Sequence, residues 1–336
     1  MNKRDYVKAA FEHRETDKVP YCILLTQAAH EAYGERLLKA YASKDILDDY
    51  KEGLLNLGQA VHLAIGNFSF GLTFPWWDWD RAKFPPAYAD PYAVPEAMPA
   101  VRRYDTGEAL EKYRAHARFI SEKYQVYTMN LIFANHWEKA YFTRGIENFL
   151  ADIGAQPAFA QALLDFILDL NMELLPKLIC PQLDGVLLGS DWGTQKDLII
   201  SPACWRSMMK SGQKIQLNYI KGQKKHTMIH SCGCISRILP DLVELGLDVL
   251  NPVQPECMDL RFLKERYGNS LSFWGGISTQ RTLPFGTPED VEKEASDTIR
   301  LMSAGGGYLT CASQEIQTDV SYENLLALIE TARSFV

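Results

Sequence analysis

The chain has 336 residues, of which 47% are hydrophobic and 23% charged, an ordinary globular balance that excludes a disordered, collagenous or coiled-coil chain. A net charge of −7 excludes a basic nucleic-acid footprint or polybasic membrane patch. No apolar stretch approaches the roughly 18 residues of a membrane span, the first residues carry no apolar signal core, and the seven cysteines lack the spacing of a disulfide framework; these features point to a cytoplasmic protein. At about 150 residues per domain the length suits two domains, but α/β barrels hold about 250 or more in one.

Taken in order, residues 19–25 read as a first strand and residues 60–65 as a weaker second. Residues 74–104 carry Trp76, Trp77, Asp78, Trp79, Asp80 and five prolines from Pro85 to Pro99. That proline density forbids a long helix or central strand and predicts an ordered, aromatic-rich surface excursion. The tryptophans suit either a lid or packing. Further apolar runs follow at 126–131, 184–189, 226–230, 248–253, 271–276 and 307–311. Between them lie helical patterns. One covers 236–245 and stops at Gly246; another opens at Pro288 behind Thr287 as N-cap. The basic run at 221–225 reads as a solvated loop before a strand. Apolar strands alternating with helices predict a parallel sheet covered on both faces, and eight strands predict a closed (β/α)8 TIM barrel spanning residues 1–336 as a single domain. No Gly-x-Gly-x-x-Gly turn follows an early strand, which weighs against an open dinucleotide-binding sheet.

In such a barrel the chemistry lies at the C-terminal ends of the strands. The unusual residues fall there: Asp191 to Gln195 after the fourth strand, His230-Ser231-Cys232-Gly233-Cys234 after the fifth, Asn251 to Cys257 after the sixth, and Cys311 to Glu315 after the eighth. Residues two apart on a strand share a side, so His230 and Cys232 suit one zinc ion. Cys311 is the expected third ligand, with Cys234, Gln314 and Glu315 competing. The opposing reading makes these cysteines small buried apolar residues. Asp191 suits substrate orientation or proton transfer, or a turn cap. Gln254, held between two prolines, suits substrate hydrogen bonding or loop packing. Nucleophile-elbow, P-loop and His-Glu-x-x-His patterns are absent.

The ensemble resembles the uroporphyrinogen decarboxylase superfamily. The resemblance runs over nearly the whole chain, through Asp17-Lys18-Val19-Pro20, Arg144-Gly145-Ile146-Glu147, Ser190-Asp191-Trp192-Gly193-Thr194-Gln195, His230-Ser231-Cys232-Gly233, Leu250-Asn251-Pro252-Val253-Gln254 and Trp274-Gly275-Gly276-Ile277. Decarboxylases of that superfamily carry an arginine-containing loop after the first strand. Here the loop, residues 26–34, has none, so the counter-charges for a polyanionic substrate are missing. The resemblance is therefore to the zinc- and corrinoid-dependent methyltransferase branch. It implies zinc on His230 and Cys232, substrate oriented by Asp191, Gln195 and Gln254, a small methylated substrate, and a corrinoid protein as methyl partner. That branch places a cysteine about where Gln314 stands, which leaves Cys311 as the thiol available nearby. The alternatives are a decarboxylase of uroporphyrinogen or another carboxylated substrate, and a non-catalytic barrel that binds a corrinoid or tetrapyrrole.

Overall fold

Apolar runs and amphipathic helices alternate to build a parallel sheet that curls into a barrel. The computed structural model describes residues 1–74, 77–78, 84–103 and 107–336, with the backbone alone at 77–78 and 102–103. Four helices open the chain: α1 (Lys3–Phe11), α2 (Gln27–Tyr41), α3 (Lys44–Lys51) and α4 (Leu57–Ala64). The sheet starts at β1 (Ser69–Thr73); β2 (Trp77–Asp78) and β3 (Arg102–Arg103) form a separate antiparallel pair. Helix α5 (Gly107–Phe119) leads to β4 (Tyr127–Ile132), and α6 (His136–Arg144), α7 (Ile146–Ala155) and α8 (Pro157–Leu178) lead to β5 (Gly185–Gly189). Then come α9 (Pro202–Met208), α10 (Lys210–Gly222), β6 (His226–His230), α11 (Leu239–Glu244), β7 (Val249–Val253), α12 (Leu260–Tyr267) and β8 (Ser272–Ile277). The chain closes with α13 (Thr282–Phe285), α14 (Pro288–Ser303), β9 (Tyr308–Ala312) and α15 (Tyr322–Ser334).

The seven main strands run in the order β1-β4-β5-β6-β7-β8-β9, all parallel. Residues 20–26 bridge the two ends. Cys22 N–H donates to Thr310 O and Thr26 N–H to Ile316 O, while Thr310 and Ile316 donate back to Pro20 O and Leu24 O, each at 2.8–2.9 Å. On the other flank Phe68 N–H donates to Tyr21 O at 2.9 Å. The buried Asn67 side chain then imitates a peptide: its Oδ1 accepts Ile23 N–H and its Nδ2 donates to Ile23 O, both at 2.8 Å. The predicted first strand thus takes its place in the wall partly through a side chain.

Residues 60–65, predicted as a strand, belong to helix α4 instead. Asn56 and Gln59 form a reciprocal capping box that starts the helix, and Ala60, Val61, Leu63 and Ala64 are buried along it. The wall strand is β1, whose Ser69, Gly71 and Thr73 dilute its apolar signal. The other predicted strands coincide with β4 to β9 within a residue or two. The expected Thr287 cap is present and forms a capping box with Asp290.

The excursion carries the β2–β3 pair, one 3-10 turn at Pro86–Tyr88 and no long helix among its described residues. It is tied down by the buried Arg144, whose guanidinium donates to the carbonyls of Ala87, Tyr88, Asp90 and Ala93 and pairs with Asp152 at 2.6 Å. Trp76, Trp79 and Asp80 of the proposed lid lie outside the described residues. At the opposite, N-terminal end of the barrel Arg4 and Lys8 of α1 pair with the buried Asp184 at 2.7 and 2.9 Å, so that end is covered by a helix. No helix among the described residues is long and apolar enough to cross a membrane. All seven cysteines are free thiols.

Replacing Asn67 by Leu strips Ile23 of both partners in a buried wall. The expected loss is about 2–6 kcal/mol, taken as about 1–3 kcal/mol for each stranded group, read from chemical denaturation. A loss below about 1 kcal/mol would show that backbone bridges alone close the barrel.

Candidate metal centre

Three strands place the site. Gly189 and His230, the last residues of β5 and β6, stand side by side with Asn251 in the middle of β7, as register partners. His230 Nδ1 lies 2.7 Å from Asn251 Oδ1, and Asn251 Nδ2 faces Trp274 O at 3.4 Å. An acceptor on that side assigns the imidazole hydrogen to Nδ1 and leaves Nε2 with its lone pair free. Nε2 points at Cys232 Sγ, 3.5 Å away, and at Asp191 Oδ1, 3.8 Å away.

The loops after β5 and β6 bring Asp191 and Cys232 together. Asp191 Oδ1 accepts the Cys232 N–H at 2.8 Å, and Ser231 Oγ accepts the Trp192 N–H at 3.1 Å. Behind them Gly193 and Gly233 touch backbone to backbone. A Cβ on Gly193 would lie 2.5 Å from Cys232 O, and one on Gly233 would lie 2.5 Å from Thr194 O. Gly233 also holds φ +78°, a left-handed conformation that favours glycine. Gln254 Oε1 accepts the Gly233 N–H, which pins the same turn.

Asp191, His230 and Cys232 therefore offer three donor atoms within 4.8 Å of one another, a set found once among the described residues. Two ligands on a tetrahedral zinc lie about 3.3–3.6 Å apart, so the His230–Cys232 spacing fits without movement. Burial, and then the charge of Asp191, push the Cys232 thiol up to about 12. Without a cation beside it this cysteine stays protonated; a metal ion is the partner that would make it a thiolate.

The remaining expected residues lie around this centre. Cys311 is buried on β9, in the core cluster that also holds Cys22, and reaches the cavity wall without joining the donor trio. Gln314 Nε2 reaches Cys232 Sγ at 3.3 Å while its Oε1 accepts the Glu315 N–H at 3.0 Å, so the oxygen that would bind a metal is engaged. Cys234 faces Ser236 Oγ at 3.6 Å. Gln195 is exposed, accepts from Cys257 Sγ at 3.3 Å and is not among the residues lining the cavity at the strand ends. Gln254 serves the turn described above.

A cavity of about 520 Å³ opens at the strand ends, with Asp191 and His230 of the trio in its wall. Its walls include Leu24, Leu131, Phe133, Phe142, Leu187, Pro252 and Trp274; Asp191, His230, Cys311 and Gln314 also line it. No arginine or lysine lines it among the described residues. One functional candidate was missed by sequence reasoning: Glu138, on the first turn of α6. Asn135 N–H donates to Gly189 O, and Trp137 Nε1 donates to Asp191 O at 2.9 Å, which together fix that turn over β5. The missing side chain at Gly189 leaves room: a Cβ there would lie 3.2 Å from Glu138 Oε2. Burial, and then the charge of Asp191, push the Glu138 carboxyl up to about 7. An acid on the first helical turn beyond an apolar strand end was the available signal.

A family model described as uroporphyrinogen decarboxylase (URO-D) matches residues 134–335, more than half of the chain. The chain belongs to the uroporphyrinogen decarboxylase family. The match covers β5 to β9 and every residue of the trio and of Glu138. No curated protein matches the sequence. Among solved structures, a methyltransferase from Methanosarcina mazei is similar with a TM-score of 0.69 and 16% identity, over 100% of this chain and 99% of that one. That likeness is one of fold, and it agrees with the barrel of this URO-D family member.

The purified protein is expected to hold about one zinc ion per chain, measured by elemental analysis. His230→Ala and Cys232→Ala should each lose it, and Cys311→Ser should keep it. Asn251→Leu, which frees the imidazole, should weaken zinc affinity about 10–100-fold in a chelator competition. Unchanged zinc in His230→Ala, or loss in Cys311→Ser, would refute this ligand set.

Proposed function

We propose that this URO-D family member is a zinc-assisted methyltransferase that moves a methyl group between a small methylated substrate and a corrinoid protein. The observation that carries the reading is a single one: a His-Cys-Asp donor set, with its His230 and Asp191 in the wall of an apolar cavity whose described lining holds no arginine or lysine. A decarboxylase acting on a polycarboxylate needs guanidinium or ammonium partners for its substrate. The described walls offer carboxylates and hydrocarbon instead. The methyltransferase similar in fold is consistent with the reading. Seven free thiols suit a reducing cytoplasm.

His230, Cys232 and Asp191 would hold the zinc. Bound there, it would supply a Lewis acid for the electron pair on the heteroatom that gives or takes the methyl group. The protein's own residues do the rest. Asn251 orients the imidazole, and the Gly193–Gly233 contact holds the two ligand-bearing loops together. Leu24, Leu131 and Trp274 keep water from the methyl carbon. Phe133 and Phe142 line the mouth and are about half exposed (55% and 49%), which suits a site that must meet a second protein.

The test is methyl transfer to a corrinoid acceptor from a panel of methylated compounds, with and without zinc. Zinc-dependent transfer is expected with at least one donor, reduced about 100-fold or more in His230→Ala. Uroporphyrinogen should not be consumed. Release of coproporphyrinogen from it would overturn the reading.

A further inference from the structure

The charges around the cavity are one-sided. Glu138, Asp191 and Glu315 line it, and no described lysine or arginine does. A divalent ion on Cys232 and Asp191 would be cancelled by the thiolate and the carboxylate. Glu138 and Glu315 would still face the cavity uncompensated. Glu138 is the sharper case. Its Oε1 has the Tyr141 hydroxyl at 3.5 Å, the Ala134 backbone also hydrogen-bonds its carboxyl, and no ion pair joins it to a described cation. The Tyr141 hydroxyl, then Lys139 and the Ala134 backbone, oppose less strongly the upward push of burial and Asp191 on its carboxyl.

Burial favours the neutral form of such a carboxyl, and a cation arriving beside it favours the carboxylate. The surrounding walls suit a cation too. Phe133, Phe142 and Trp274 line the same cavity and present aromatic surface to its contents. Aromatic faces attract an onium group, whose charge is spread over its methyl groups and needs no directed hydrogen bond.

Resting on the methyltransferase reading, we infer that the methylated substrate is an onium ion, a quaternary ammonium or a sulfonium, held by Glu138 and the aromatic walls of the cavity. The chemistry balances. The carbon–nitrogen or carbon–sulfur bond breaks, its electron pair stays on the heteroatom, and that atom loses its positive charge. The methyl carbon takes its new pair from the corrinoid nucleophile. The leaving group departs as a neutral amine or sulfide, so no acid has to protonate it. The positive charge is present in the ground state and fades as the bond breaks. Glu138 is therefore a binding group that selects the substrate.

The experiment is calorimetric titration of the full-length zinc-loaded protein with tetramethylammonium, trimethylsulfonium and choline, beside 3,3-dimethylbutan-1-ol, the uncharged isostere of choline. At least one cation should saturate the site, and choline should bind about tenfold or more tightly than its isostere. Glu138→Gln should weaken cation binding about tenfold while zinc content and melting temperature stay unchanged. Absence of binding by all three cations, equal binding of choline and its isostere, or unchanged affinity in Glu138→Gln would overturn the inference. The titration scores no turnover, so failure of methyl transfer leaves its result standing. Transfer from a neutral methyl ether, with no cation bound, would overturn this inference and keep the methyltransferase reading.

Discussion

The site depends on one contact: the Asp191 carboxylate accepting the backbone N–H of Cys232. It joins the loops after two neighbouring strands. It fixes the thiol-bearing turn against a carboxylate, and so sets the donor trio. The contact is possible because Gly193 and Gly233 have no side chains between them. A Cβ at either position would meet backbone at 2.5 Å, so the loops would have to move apart. The Ser-Asp-Trp-Gly segment and the His-Ser-Cys-Gly segment therefore act as one device. Each brings a donor, and each brings the glycine that lets the other approach.

The barrel supplies the stage on which that device works. Register between β5, β6 and β7 puts Gly189, His230 and Asn251 in one row, so the imidazole has an amide partner on one side and open space on the other. That space admits Glu138 from α6. The same helix holds Asp191 through Trp137 and, at its far end, holds the excursion through Arg144. Helix α6 thus couples the site's carboxylates to the segment that overlies the surface nearby.

Much of this was legible in the sequence, for identifiable reasons. Strands buried on both faces leave unbroken apolar runs, which is why β4 to β9 stood out. Residues 60–65 misled because an apolar run of that length suits a buried helix equally well; the Asn56 and Gln59 cap was the distinguishing mark. His230, Cys232 and Asp191 were each singled out by their place at strand ends. That Asp191, and not Cys311, stands beside the pair follows from loop packing, which no spacing rule encodes. Glu138 was overlooked because an acid in the first turn of a helix ordinarily favours the helix dipole and faces water. Its burial depends on a glycine more than fifty residues further along the chain.

The central claim is that His230, Cys232 and Asp191 together bind the metal. X-ray absorption spectroscopy of the zinc-loaded protein reads the ligand atoms directly. The structure predicts one sulfur neighbour at about 2.3 Å, with nitrogen and oxygen at about 2.0–2.2 Å completing the set. Two sulfur neighbours would bring a second cysteine into the sphere, and none would remove Cys232 from it. Either result would contradict the account.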